Sequence, residues 1–131
     1  MAQTFQIQAE GPVIEPGQGE AIEVPSGQEI TLLDVIWNVP GPDGMATRFR
    51  FLAPAIARGA GLVDFDIAAA DMSHLCQEFA LPKVTGSALL PSQIIISLSD
   101  RAVPFGETDP DATQFFEAYR LENGACIWEV F

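Results

Sequence analysis

The chain has 131 residues, 48% of them hydrophobic and 18% charged, and its 6 basic against 18 acidic side chains leave a net charge of −12. That length suits one domain, and the apolar share is enough to build a core, which excludes wholesale disorder. The acidity counts against nucleic acid and anionic membrane surfaces, because like charge repels phosphate, and no run of 18 apolar residues could span a bilayer.

The acid is concentrated at the front. No Lys or Arg precedes Arg48, so residues 1–47 carry −7 and the remainder −5. Within residues 1–19, Gly11-Pro12 and Glu15-Pro16-Gly17 mix turn formers with little apolar periodicity. They read as a flexible N-terminal arm, solubilising or able to dock on a basic partner, ahead of a single domain over residues 20–131. A basic start followed by an apolar stretch is absent, and Met1-Ala2-Gln3 reads as an initiator placed before a processed N-terminus.

Residues 21–24 (Ala-Ile-Glu-Val) suit a short strand, and Pro25-Ser26-Gly27-Gln28 a turn. Residues 30–39 are rich in β-branched and aromatic side chains and predict a strand that Pro40-Gly41-Pro42-Asp43-Gly44 breaks. From Thr47 to Leu52 the alternation puts Arg48 and Arg50 on one sheet face and Phe49 and Phe51 on the other, so the two strands form a hairpin. Asp64 or Asp66 caps a helix whose Ala68, Met72, Leu75 and Phe79 make one apolar stripe with Cys76 beside it, and Pro82 ends it.

Residues 93–99 predict a strand with Ile94, Ile96 and Leu98 on one face, followed by a polar loop over residues 100–112. At the end, Asn123-Gly124 between Tyr119-Arg120-Leu121 and Cys126-Ile127-Trp128 signals a tight hairpin. A rival reading starts a helix at Asp109-Pro110 and spaces Ala112, Phe115, Phe116 and Tyr119 along it; we favour the hairpin. The sum is an α+β domain: a mostly antiparallel sheet of about five strands in ββ-α-β-ββ order, with one main helix packed on a face.

Cys76 and Cys126 form no Cys-x-x-Cys motif and cannot make a structural zinc site alone. Either they are independent buried thiols or they pair, closing a loop of about 50 residues worth roughly 4 kcal/mol in the chain-entropy model. A disulfide would suit an oxidising compartment such as a periplasm.

Few constellations could carry chemistry. Asp71, His74 (the single histidine) and Glu78 fall at i, i+3 and i+7, a spacing that could offer two carboxylates and an imidazole to a divalent metal. The ordinary reading is a solvated helix face. Glu107, Asp109 and Asp111 alternate like the start of a calcium loop, but Ala112 and Ala118 stand where an EF-hand needs Gly and a bidentate carboxylate. Arg48 and Arg50 together could clamp a carboxylate or phosphate, or pair with Glu117 or Glu129 across strands. Ser73, Ser97 and Ser99 lack a Gly-x-Ser-x-Gly setting, and no glycine-rich nucleotide motif or other cofactor signature is present. Trp37, Trp128, Phe49, Phe51, Phe79 and Phe115 read as core, with an exposed partner-binding patch as the alternative for Trp128.

Three stretches together carry a resemblance: Val24-Pro25-Ser26-Gly27-Gln28, Arg48-Phe49-Arg50-Phe51-Leu52-Ala53-Pro54, and Phe116-Glu117-Ala118-Tyr119 through Gly124-Ala125-Cys126-Ile127-Trp128-Glu129. Asp71-Met72-Ser73-His74-Leu75-Cys76 with Leu81-Pro82 fits the same pattern. Over roughly residues 22–131 the chain resembles a family of small exported proteins of marine alphaproteobacteria that carries only a domain-of-unknown-function label. The resemblance implies export, with a signal peptide removed ahead of this chain, and no activity. The expected role is therefore a non-enzymatic periplasmic or secreted binding or accessory domain, with a protein partner and no cofactor. The alternative is a small hydrolase or metal-dependent enzyme using His74 and nearby carboxylates.

Overall fold

The computed structural model describes residues 11–41, 44–59, 62–87 and 90–130. Six strands form one sheet in sequential order: β1 (Val13–Pro16), β2 (Thr31–Gly41), β3 (Gly44–Leu52), β4 (Gln93–Ser99), β5 (Gln114–Glu122) and β6 (Ala125–Glu129). Every neighbouring pair is antiparallel except β3 and β4, which run parallel. A parallel pair needs a crossover. It is supplied by α1 (Phe65–Leu75), a π-turn (Cys76–Ala80) and α2 (Leu81–Thr85), which pack on one sheet face.

The expected α+β architecture thus holds, with one strand more than expected. Part of the segment read as an arm, Val13–Pro16, adds to β2, while residues 1–10 lie outside the described residues. Its sequence gave little signal because all four residues are exposed at the sheet edge, where Pro16 needs no ladder partner. It is tied down from the side: Glu15 accepts from the Trp37 indole at 2.9 Å and pairs with Lys83 of α2 at 3.0 Å. The strand expected over residues 21–24 does not form; a single bridge joins Ala21 to Thr31.

Alternation in β3 and β4 gives the core its floor. Phe49, Phe51, Ile94, Ile96 and Leu98 are fully buried beneath Ala68, Met72, Leu75 and Cys76. Phe79 stands edge-on to both Phe49 and Phe51, with ring centroids 6.1 and 5.9 Å away. Asp64 is the helix cap, accepting from the Ile67 amide at 3.0 Å.

Pro82 does not end the helix. The π-turn, in which the Leu81 amide reaches back to the Cys76 carbonyl, precedes it, and Pro82 enters the first turn of α2. A proline ring normally collides with the carbonyl four residues earlier. The wider turn opens that spacing and lets the helical path continue to Thr85.

The terminal hairpin is present, and the rival helix is not. Asn123 and Gly124 both have positive φ, 53° and 76°, between the paired residues Glu122 and Ala125, the geometry of a two-residue type I′ turn. Cys76 and Cys126 form a disulfide with their Cα atoms 6.3 Å apart, joining the π-turn to β6. Gln77 reinforces the joint, accepting from the Cys126 amide at 3.0 Å and donating to the Gly124 carbonyl at 3.3 Å. Trp128 belongs to no core: it is 55% exposed on the edge strand.

Candidate functional site

The helices cover one face of the sheet only. On the other, the outward positions of β2, β3 and β4 carry Asp34, Arg48, Arg50, Ser97 and Ser99, a row of polar side chains where an open sheet would meet water. Yet Asp34, Ser97 and Ser99 are all buried. The arginine side chains and the loop over residues 100–112 shelter them: the Arg50 guanidinium donates to the Val103 carbonyl at 2.7 Å, and the Phe105 ring stands 5.7 Å from that guanidinium.

The two arginines share a face, as their alternation predicts, but they are not equivalent. Arg50 lies opposite Asp34 in the β2–β3 ladder and is held by both carboxylate oxygens, at 2.7 and 2.8 Å. With both side chains close to nine-tenths buried, this is a fork-to-fork ion pair shielded from solvent. Arg48 has no such partner. Its Nε and one terminal nitrogen donate to the Ser97 hydroxyl at 3.2 and 2.8 Å, its guanidinium lies 6.0 Å from the Phe116 ring centre, and it makes no ion pair among the described residues. Burial pushes the Arg48 guanidinium below its ordinary range, the Arg50 charge pushes the same way, and Asp34 partly opposes them.

Neither arginine meets the glutamates considered as cross-strand partners. Glu117 lies opposite Ile96, so it faces the helix layer, and Glu129 accepts from the buried Gln93 at 2.7 Å. Asp34 was the missed partner. A bulge between Leu32 and Asp34 shifts the β2 register, so simple alternation along β2 does not show which residue lies opposite Arg50.

Arg48 and Arg50 open into a recess of about 290 Å³, walled by Val103, Phe105 and Glu107 with Gln114 from β5. A second hollow of about 260 Å³ near the start of α1 contains Arg58 and Asp64. There Asp64 is spent on the helix cap, and Arg58 reaches the Pro110 carbonyl at 3.4 Å.

The acidic candidates are dispersed. Asp71 does not share a solvated face with His74 and Glu78: it is fully buried, accepting from the Ser26 amide at 3.0 Å, the Ser26 hydroxyl at 2.5 Å and the Gln28 amide nitrogen at 2.7 Å. Its oxygens are occupied in pinning the turn at residues 25–28 to α1. His74 is partly exposed in the last turn of α1, and Glu78 is exposed. In the loop, Asp109 accepts from the Asp111 amide at 2.9 Å, an Asx-type turn, and Glu107 stands apart in the wall of the arginine recess. Among the described residues, no three His, Cys, Asp or Glu side chains gather as a metal site would require. No helix among them is long and apolar enough to cross a membrane.

No curated protein and no solved structure matches the chain. One family model does, over residues 4–131, nearly the whole length and including every residue of the recess. The chain belongs to that family, a family of unknown function (DUF6497).

Proposed function

We propose that this protein is an exported, non-enzymatic binding domain that takes an anionic group at Arg48. One observation carries the reading: Arg48 is a partly buried guanidinium without a carboxylate partner among the described residues, opening into a recess beside an arginine that already has one. A buried charge is costly unless it is paired. An incoming anion would satisfy the N–H groups that Ser97 leaves over, in the charge-assisted geometry guanidinium favours. The Asp34–Arg50 pair would hold the floor of the site, a positioning role.

Export is supported by the disulfide, since such bonds persist in oxidising compartments and are rare in the cytosol. Cell fractionation under thiol-blocking conditions tests it: the oxidised protein belongs outside the cytosol.

The binding role is tested by isothermal titration with sodium acetate and sodium phosphate at matched ionic strength, on the wild type and Arg48→Gln. The expected result is a saturable heat with at least one anion in the wild type and none in the variant. Equal heats in both proteins would remove Arg48 from the site.

A further inference from the structure

The same recess indicates which anion it takes, an inference that rests on the reading above. We infer that the ligand is a small monocarboxylate with an apolar, preferably aromatic, body rather than a phosphate or polyanion.

The arginine donors limit what can bind. Arg50 presents Nε and one terminal nitrogen to Asp34 and the other terminal nitrogen to Val103, so its fork is committed. Arg48 spends two of its five N–H groups on Ser97; of the three left, two form the fork between its terminal nitrogens, available to one bidentate acceptor. That fork takes the two oxygens of one carboxylate or two of a phosphate's, so the donors limit the ligand to one anionic group and charge distinguishes the two.

Charge limits it further. Arg48 and Arg50 are offset by Asp34 and by Glu107 in the wall of the recess, so the local sum is neutral before any ligand enters. A monocarboxylate would leave a single negative charge there and a phosphate dianion two, within a chain already at −12. Glu107 therefore acts as a filter against higher charge, specificity by repulsion.

The walls are mixed: Val103 and Phe105 stand among Glu107, Thr108 and Gln114, and Phe116, outside the recess lining, lies against the Arg48 guanidinium. Phe105 offers one apolar face to a small body, and guanidinium and phenyl faces both accept a planar ring. At about 290 Å³ the recess lies at the small end of ligand sites, which run from roughly 300 to 1,000 Å³.

The experiment is an NMR titration with sodium benzoate and, separately, sodium phosphate at matched ionic strength and neutral pH, following the Arg48 Nε–H and the backbone amides of Phe105 and Phe116. Benzoate should move these signals saturably and phosphate should not. Arg48→Lys, which keeps the charge but lacks the fork, should weaken benzoate about tenfold. Glu107→Gln, a surface change that spares folding, should let phosphate compete. Phosphate binding as tightly as benzoate would overturn the carboxylate assignment while leaving an anion site. Silence from both ligands would overturn the site itself. Full benzoate affinity in Arg48→Lys would show that the fork is not what recognises the ligand.

Discussion

Reduction of the Cys76–Cys126 bond gives the most direct check on what holds the fold together. The bond closes a loop spanning a sequence separation of 50, from the π-turn across β4 and β5 to β6. In the chain-entropy model such a crosslink removes about 14 cal/mol/K from the unfolded chain, or about 4 kcal/mol at room temperature. The unfolding entropy of a domain of this length is about 0.28 kcal/mol/K, so the reduced protein should melt about 15 °C below the oxidised one. Circular-dichroism melts of the wild type with and without reductant make the comparison, with alkylation and intact mass confirming the thiol state of each sample. Comparing redox states of one chain avoids the cavity that replacing the buried Cys76 would add. The loosening should be local in the native state. Amide exchange should quicken in β6, which Gln77 also ties to the helix layer, and stay slow in the central strands β3 and β4. Melting points within about 3 °C of each other would refute the argument, because the crosslink would then not be restraining the unfolded chain as its loop length requires.

Other expectations follow from single contacts. Asp71→Ala leaves two donors of Ser26 and one of Gln28 without their acceptor at a fully buried position and should cost about 3 kcal/mol in urea unfolding; a cost under about 1 kcal/mol would mean the turn at residues 25–28 does not depend on it. Asp34→Ala strands the Arg50 guanidinium beside Arg48 and should cost about 3 kcal/mol by the same assay, whereas the double change Asp34→Ala with Arg50→Met should recover most of that loss. Tyr119 is the single tyrosine, and burial, with the Glu117 charge adding to it, raises its pKa above the ordinary 10.0. The folded state thus prefers the neutral phenol: its contribution to stability is complete below pH 10.0 and is lost as pH rises beyond that value, so phenolate absorbance should appear only with alkaline unfolding. Gly124→Val puts a β-branched residue at φ 76° and should cost more than about 1 kcal/mol in thermal melts, while Asn123→Gly should be nearly neutral.

Much of the fold was legible because it is written in short-range periodicity. The Phe49/Phe51 and Arg48/Arg50 alternation fixes both faces of β3, the Ala68–Met72–Leu75 spacing fixes the buried side of α1, and Asn123-Gly124 specifies its own turn. The features that escaped are those in which a residue answers to a distant partner. Val13–Pro16 has no apolar pattern and becomes a strand because Trp37 and Lys83 hold Glu15. Asp71 sits where helical spacing places a polar face, yet a turn more than forty residues earlier covers it with three donors. Pro82 reads as a stop until the π-turn before it is known.

The candidate site divides in the same way. Local pattern alone determined that two arginines would stand side by side on a sheet face. Which of them is neutralised by a carboxylate, and which donates to a hydroxyl instead, was decided by the register of β2 against β3 and by the loop that folds down from β4. A strand's period of two determines direction and carries no information about what lies across the ladder. Charge pairing acts through space, so only the assembled sheet could bring Asp34 to Arg50 and leave Arg48 with a hydroxyl.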